Sequence, residues 1–422
     1  MDKEQLKYVL SEAEERRLPS LFARDVPVPV DTGKAVILTG IRRSGKTSML
    51  FGAMLELAGS GVSRESIVYL NLEDDRLYPA TAPELDLIVR AHDEMHPSRI
   101  AGRRYLFLDE VQAVPGWERF VRRLLDSGQW GVFLTGSSSR LLRKNIAAPM
   151  RGRSLPIEVQ PLNFREFLRF RGVDVKPHSR ASEARIHGMC AEYLQTGGFP
   201  EVVLAEAEWR GAILQEYADL ILYKDLIEGF GIANTTVLKL LLKHCLGHPG
   251  GLFSPHKFHT FLKSQGIAVS KDTVYAYLDH LEEAFVLYPV RKWARSLRTQ
   301  TMNPVKLFSV DNGLSGRFSA SPDRGKKLEN AVFQKLKSGG QEIFYLANGH
   351  EVDLATAGES PEHAWNVTWS LGDPSTRERE LQALTWAART YPGLACRLIA
   401  HETPSAWKAP FPLIPASQFL LE

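Results

Sequence analysis

One stretch constrains the fold more than any other: Val36-Ile37-Leu38-Thr39-Gly40-Ile41-Arg42-Arg43-Ser44-Gly45-Lys46-Thr47. An apolar run of strand character ends in Gly40, and after four intervening residues come Gly45, Lys46 and Thr47. Ser48-Met49-Leu50-Phe51 then opens a helix. This is G-x-x-x-x-G-K-[ST] between a strand and a helix, the context that gives the pattern its meaning. Glycines let the backbone wrap tightly, so the amides of Gly40, Arg43, Ser44, Gly45, Lys46, Thr47 and Ser48 can face a phosphate chain at a helix N-terminus. Lys46 then reaches the β- and γ-phosphates, and the Thr47 hydroxyl is offered to Mg²⁺. The blander reading, a glycine turn with a chance lysine, does not account for both flanks. The expected ligands are ATP and Mg²⁺.

The next runs complete an α/β sheet. Ser66-Ile67-Val68-Tyr69-Leu70-Asn71-Leu72 reads as a second strand, followed by Glu73-Asp74-Asp75-Arg76, an acidic cluster best read as a solvated loop. Arg104-Tyr105-Leu106-Phe107-Leu108-Asp109-Glu110 is a buried strand ending in two acids, 63 residues beyond Lys46. Asp109 is the expected Mg²⁺ ligand, directly or through water, and Glu110 the carboxylate that polarises the attacking water. Trp130-Gly131-Val132-Phe133-Leu134-Thr135-Gly136-Ser137-Ser138-Ser139 is a further strand ending in small hydroxyls. In ATPases with a catalytic glutamate this strand lies between the other two and offers a polar residue to the γ-phosphate. Thr135, Ser137 and Ser138 are the alternatives, with Ser137 taken as the site's representative. From 117 to 173 eleven Lys or Arg stand against four Asp or Glu, including Arg140, Arg143, Lys144, Arg151 and Arg153. An arginine here suits a finger reaching a neighbouring subunit's nucleotide, or a nucleic-acid phosphate contact, or a solvated basic surface.

These motifs together resemble a large group of bacterial and archaeal AAA-like ATPases with a G-x-R-R-x-G-K-T loop and a C-terminal domain of unknown function related to PD-(D/E)XK nucleases. The resemblance runs through Thr39–Thr47, Leu108-Asp109-Glu110-Val111-Gln112, Leu134-Thr135-Gly136-Ser137-Ser138 and Arg151-Gly152-Arg153. It continues through Gln160-Pro161-Leu162-Asn163-Phe164-Arg165-Glu166-Phe167 and Gly197-Gly198-Phe199-Pro200-Glu201, covering nearly the whole chain. It implies that a finger or sensor arginine occupies the glycine-arginine element, for which Arg153 is chosen over Arg151, and with it a homo-oligomer.

Residues 181–235 carry helical periodicity broken at Thr196-Gly197-Gly198-Phe199-Pro200 and read as a lid or connector. Residues 236–298 read as helix, helix, glycine turn, helix and hairpin, the winged-helix pattern, with Arg291, Lys292, Arg295 and Arg298 as a basic wing. Double-stranded DNA and a protein are the alternative partners of such a module. From 299 to 422 the pattern is nuclease-like, with Glu329 and Asp353 matching the first metal-holding acids of that fold. The acid-x-Lys wanted on the following strand is absent from Trp365-Asn366-Val367-Thr368-Trp369, so hydrolysis of nucleic acid is not expected, although an active metal nuclease stays as a third reading.

The expected architecture is thus a P-loop core with a parallel sheet over 1–180, a connector over 181–235, a winged helix over 236–298 and a nuclease-like α/β domain over 299–422. At 422 residues the chain has room for several domains. Net charge is only +3, so any basic partner site is local. Cys190, Cys245 and Cys396 form no C-x-x-C pair, which excludes a disulfide framework or zinc knuckle and fits a reducing cytoplasm. The N-terminal stretch has no apolar signal core, and no run of about 18 apolar residues suggests a membrane span. The functional expectation is an Mg²⁺-dependent ATPase coupling hydrolysis to conformational change. The alternative is a nucleotide-gated DNA-binding or defence regulator with slow hydrolysis.

Overall fold

Alternation of side chains along strands decides how the first unit is layered. In a computed structural model, which describes residues 2–77, 79–137, 150, 152–176, 179–319, 323–404 and 406–422, the chain divides into two compact units, Met1–Gln160 and Pro161–Glu422. Unit one holds five parallel strands: β1 (Ala35–Thr39), β2 (Ile67–Asn71), β3 (Arg104–Asp109), β4 (Trp130–Gly136) and β5 (Ser154–Glu158). Their order is β2-β3-β4-β1-β5, so β4 lies between β1 and β3. Val36, Leu38, Phe107 and Phe133 face helix α2 (Lys46–Gly59) through Met49, Leu50 and Met54, with the two phenylalanine rings stacked at 4.5 Å. Ala35, Ile37, Leu106, Leu108, Val132 and Leu134 face the other way, onto residues of α1 (Lys3–Glu15), α3 (Asp86–Met95) and α4 (Trp117–Asp126). A sheet covered on both faces needs apolar residues on both, which is why β1, β3 and β4 read as unbroken hydrophobic runs. Loops at the C-terminal edge of such a sheet are then left to carry function.

Unit two opens with helices Phe164–Phe170, Arg180–Thr196, Pro200–Leu204 and Ala207–Leu220, the last continuing as a π-helical stretch over Ile221–Glu228. Helices Thr235–Gly247, Pro255–Ser264 and Lys271–Glu283 follow, with β6 (Gly251–Phe253) between the first two and β7 (Leu287–Lys292) and β8 (Val305–Ser309) after the third. Ser254 and Ser270 cap the second and third of these helices by accepting from Lys257 N and Thr273 N. The antiparallel set β6-β8-β7 does not stand alone. β7 pairs in parallel with β9 (Ile343–Ala347), extending the sheet through β10 (Glu351–Ala357), β11 (Pro361–Ser370), β12 (Ala395–Glu402) and β13 (Leu413–Pro415). Eight strands therefore form one sheet in which the β6-β8-β7 strands are continuous with β9 to β13. Among the described residues no helix is long and apolar enough to cross a membrane.

The break at Gly197-Gly198 has a specific cause. The Asp311 carboxylate accepts from Gly198 N at 2.6 Å and from Leu314 N at 2.8 Å, capping the short Asn312–Gly316 helix. Gly197 has φ of 77°, and a Cβ there would run into the Asp311 carboxylate. Burial pushes the Asp311 carboxyl up to about 6, against the pull of the Gly198, Leu314 and Gly313 amides. Between its ordinary value and about 6 the folded chain binds more protons than the unfolded one, so this contribution to stability falls as pH rises through that window. Asp311→Asn removes the titration. The stability difference between wild type and variant, from urea unfolding at pH 4 to 7, should shift against the wild type by about 2–3 kcal/mol between pH 4 and 6. A pH-independent difference would refute this.

Candidate nucleotide site

Gly40 leaves β1 with φ of 148° and passes so close to the β5 end that an added Cβ would collide with the Val159 carbonyl. Val159 N donates to Thr39 O at 2.6 Å, which holds the loop's entrance against the sheet. Arg43 and Gly45 take positive φ of 68° and 97°, and Gly45 directly precedes α2. Ser44 N donates to Ile41 O at 3.3 Å inside the loop, which then runs directly into the α2 N-terminus, where backbone N–H groups lack intrahelical partners. Arg24, which the sequence did not single out, donates to Ser44 O at 2.9 Å and to Gln160 O at 2.7 Å, bracing the loop from outside. The Ser44 hydroxyl is fully buried and has no hydrogen-bond partner, an orphan inside the loop. Lys46 is buried, with its ammonium donating to Gly40 O at 3.1 Å and Ile41 O at 3.0 Å. Thr47 is half-buried, and Ser48 and Arg43 are exposed.

Three hydroxyls converge on Asp109. Thr47 Oγ1 donates to its Oδ2 at 2.8 Å, Tyr69 Oη donates to the same oxygen at 3.0 Å, and Thr135 Oγ1 donates to Oδ1. Burial pushes the Asp109 carboxyl above its ordinary value, opposed by the Thr135, Thr47 and Tyr69 bonds. Tyr69 was hidden in an apolar strand, and no spacing rule pointed to its hydroxyl. Glu110 follows with φ of 53°, a left-handed backbone that a non-glycine residue rarely holds and that clusters at functional sites. Its N–H donates to Thr135 Oγ1 at 2.9 Å, and its carboxylate accepts from Gln112 Nε2 at 2.6 Å. Gln112 Nε2 also reaches Ser137 Oγ at 3.4 Å. Thr135 is thereby committed to the two acids, Ser137 stands beside Gln112, and Ser138 lies outside the described residues.

The acidic 73–76 cluster spends its charge locally. Glu73 lies 3.7 Å from Arg42, and Asp74 pairs with Arg76 at 2.8 Å. Arg153 is not brought to the loop. Its carbonyl accepts from Ala35 N at 2.9 Å, so it sits at the N-terminal edge of the sheet while the phosphate loop leaves the C-terminal edge. β1 separates the two by roughly 16 Å at the rise of a strand. The Arg153 guanidinium pairs with Asp126 at the end of α4 and does not reach the loop of its own chain. Arg140, Arg143, Lys144 and Arg151 fall outside the described residues.

Comparison with known proteins fits this geometry. The model of an AAA domain matches residues 32–168, from just before β1 to beyond β5, and a domain of unknown function (DUF8612) matches 189–323. An uncharacterized protein of Methanocaldococcus jannaschii is 33% identical over 382 residues, covering 89% of this chain and 83% of that protein. The chain belongs to that protein's family and carries an AAA domain. A second relative of this AAA-domain protein, from Haemophilus influenzae and also uncharacterized, is 31% identical over 330 residues and covers 77% of each chain. Among solved structures, a Walker-type ATPase of Pyrococcus abyssi is similar at a TM-score of 0.44 and 16% identity, covering 75% of this chain and 95% of that one. An Aeropyrum pernix ORC1 protein solved in complex with DNA gives 0.32 and 13%, covering 80% and 92%. Likenesses so distant carry no weight for function.

Thr135 generates the test of this network. Thr135→Val leaves the Glu110 N–H without its acceptor and takes a donor from a buried carboxylate, which costs about 1–3 kcal/mol. Denaturant unfolding of the variant should show that loss, and an unchanged midpoint would mean the hydroxyl is not holding the two acids.

Proposed function

We propose that the AAA-domain protein is an Mg²⁺-dependent ATPase whose hydrolysis drives a conformational change. The observation that carries the reading is the convergence of Thr47 and Asp109, with their oxygens 2.8 Å apart, next to a Glu110 held in a left-handed backbone. A hydroxyl and a carboxylate make an all-oxygen donor pair of the kind Mg²⁺ prefers. The unpartnered Ser44 hydroxyl inside the loop supports a phosphate-bearing ligand there. Mg²⁺ supplies neutralisation of the charge that develops on the transferring phosphoryl group. The chain's own residues do the rest. The loop amides and Lys46 bind the polyphosphate, Thr47 and Asp109 hold the metal, and Glu110, steadied by Gln112, orients water for attack. Arg153 acts across a subunit interface in a homo-oligomer, a role that its distance from its own loop supports.

The domain reading is 1–180 for the ATPase, 181–235 for a connector, 236–298 for a winged helix and 299–422 for a nuclease-like domain without nuclease activity, in a cytoplasmic protein. The order helix, strand, helix, helix, strand supports the winged helix, although a short helix, Leu297–Met302, interrupts the hairpin and its third strand, β8, lies beyond residue 298. A second reading, a nucleotide-gated DNA-binding regulator with slow turnover, is favoured by the exposed Arg291 near the end of β7 and Arg295 and Arg298 after it, in a stretch without acids before β8. The Lys271–Glu283 helix argues the other way for a groove contact. Its one lysine stands against Asp272, Asp279, Glu282 and Glu283. DNA contact would thus run through the wing, and a protein partner suits the helix.

Steady-state ATP turnover with and without double-stranded DNA tests these readings. Glu110→Gln should lower turnover by 100-fold or more, on the order of what a positioned base contributes, and Arg153→Ala should lower it without weakening ATP binding. Turnover that survives Glu110→Gln overturns the assignment. DNA stimulation supports a DNA-directed ATPase, and negligible turnover with nucleotide-dependent DNA affinity supports the regulator.

A further inference from the structure

The two acids that a metal-dependent nuclease would use meet a partner that the sequence did not suggest. Lys306 stands in β8, and its side chain is entirely buried. Its ammonium lies 2.9 Å from Glu329 Oε1, 2.8 Å from Glu351 Oε1 and 3.0 Å from Asp353 Oδ1. An ammonium has three donors and no acceptor. All three are taken by carboxylates that come from two other elements, the Arg324–Ser338 helix and β10.

The remaining oxygens are also accounted for. Glu329 Oε2 accepts from Lys326 at 2.7 Å, and Asp353 Oδ2 accepts from Val367 N at 3.0 Å. Asn366, on the strand expected to carry an acid-x-Lys pair, donates to Glu380 Oε2 at 2.6 Å and accepts from Asp353 N at 3.3 Å. Every oxygen of Glu329 and Asp353 therefore has a donor from the chain itself. Burial works to strip the Lys306 proton, but Asp353, Glu329 and Glu351 override it and hold the ammonium well above its ordinary value.

Lys306 cannot serve as the missing catalytic lysine, since that role requires an exposed ammonium with a free donor for a phosphate. We propose instead that Lys306 is the resident cation of this pocket, standing in place of the divalent metal that three converging carboxylates would otherwise bind. Hard carboxylate sets of this kind select Mg²⁺ or Mn²⁺. On the nuclease-like reading, on which this inference rests, β11 carries Asn366 and Thr368 where an acid and a lysine would stand, and β8 supplies a lysine to the same pocket. That lysine also pins the β6-β8-β7 strands to the nuclease-like half of the sheet. The inference does not depend on the ATPase reading.

The test uses the full-length, nucleotide-free chain, with thermal unfolding followed in EDTA and in millimolar MnCl₂. The wild type supplies the background from any Mn²⁺ at Thr47 and Asp109. Lys306→Ala leaves three converging carboxylates with only Lys326 beside them, and its midpoint in EDTA should fall by roughly 5–15 °C. Mn²⁺ should recover on the order of 5 °C or more of that loss, with no such rise in the wild type. Adding Glu329→Gln and Asp353→Asn to Lys306→Ala should abolish the Mn²⁺ response and recover stability without metal. If Lys306→Ala does not fold, the triple variant decides: folding supports the proposal, and failure to fold overturns it. An equal Mn²⁺ response in wild type and Lys306→Ala, or a Lys306→Ala chain indifferent to Mn²⁺, overturns it too. So does Mn²⁺-dependent plasmid cleavage by the wild type that Asp353→Asn removes.

Discussion

The carboxylate of Asp109 is the point at which four elements of the first unit are tied together. It ends β3 and accepts from Thr47 at the start of α2, Tyr69 in β2 and Thr135 in β4. A buried carboxylate is costly unless its oxygens are satisfied, and here hydroxyls rather than cations satisfy them. Hydroxyls, unlike an ammonium, satisfy the carboxylate without cancelling its charge. That choice also sets the spacing of the machinery. Thr135 is shared between Asp109 and the Glu110 amide, so the position of one acid fixes the backbone of the next.

The contrast with the second unit is instructive, because there a buried acid pair is neutralised from within. Glu329 and Asp353 meet an ammonium, where Asp109 meets hydroxyls. The two pockets contain similar acids, and the difference between them lies in the third partner. A carboxylate pair is therefore a poor predictor of metal chemistry until the nearest cation of the chain is known. The continuity of the eight-stranded sheet gives this local difference a wider consequence. A lysine on β8 reaches acids on β10 only because β7 pairs with β9 and brings both halves into one surface.

Much of the first unit was legible in the sequence. A phosphate loop flanked by strand and helix, and an apolar strand ending in Asp109-Glu110, are local patterns whose meaning survives without tertiary information. The parts that were not legible depend on contacts far apart in the chain. Tyr69 looks like core because its strand is apolar, and only the neighbouring β3 turns its hydroxyl into a partner of Asp109. Arg24 lies in a connector without periodicity, yet it braces Ser44 and Gln160. Lys306 stands 23 residues before Glu329 and 47 before Asp353, on a strand whose neighbours are Val290 and Leu252, so nothing local ties it to the acids. A motif alone does not place Arg153, whose position follows from β5 running parallel to β1. In each case the partner lies on an element distant in sequence, which local spacing does not specify.

The most direct measurement is equilibrium binding of ATP by calorimetry, with and without Mg²⁺, to the wild type and to Lys46→Ala. The account predicts Mg²⁺-dependent binding by the wild type, weakened on the order of 100-fold by loss of the lysine charge. ATP bound equally well by Lys46→Ala, or no ATP bound by the wild type, would contradict it.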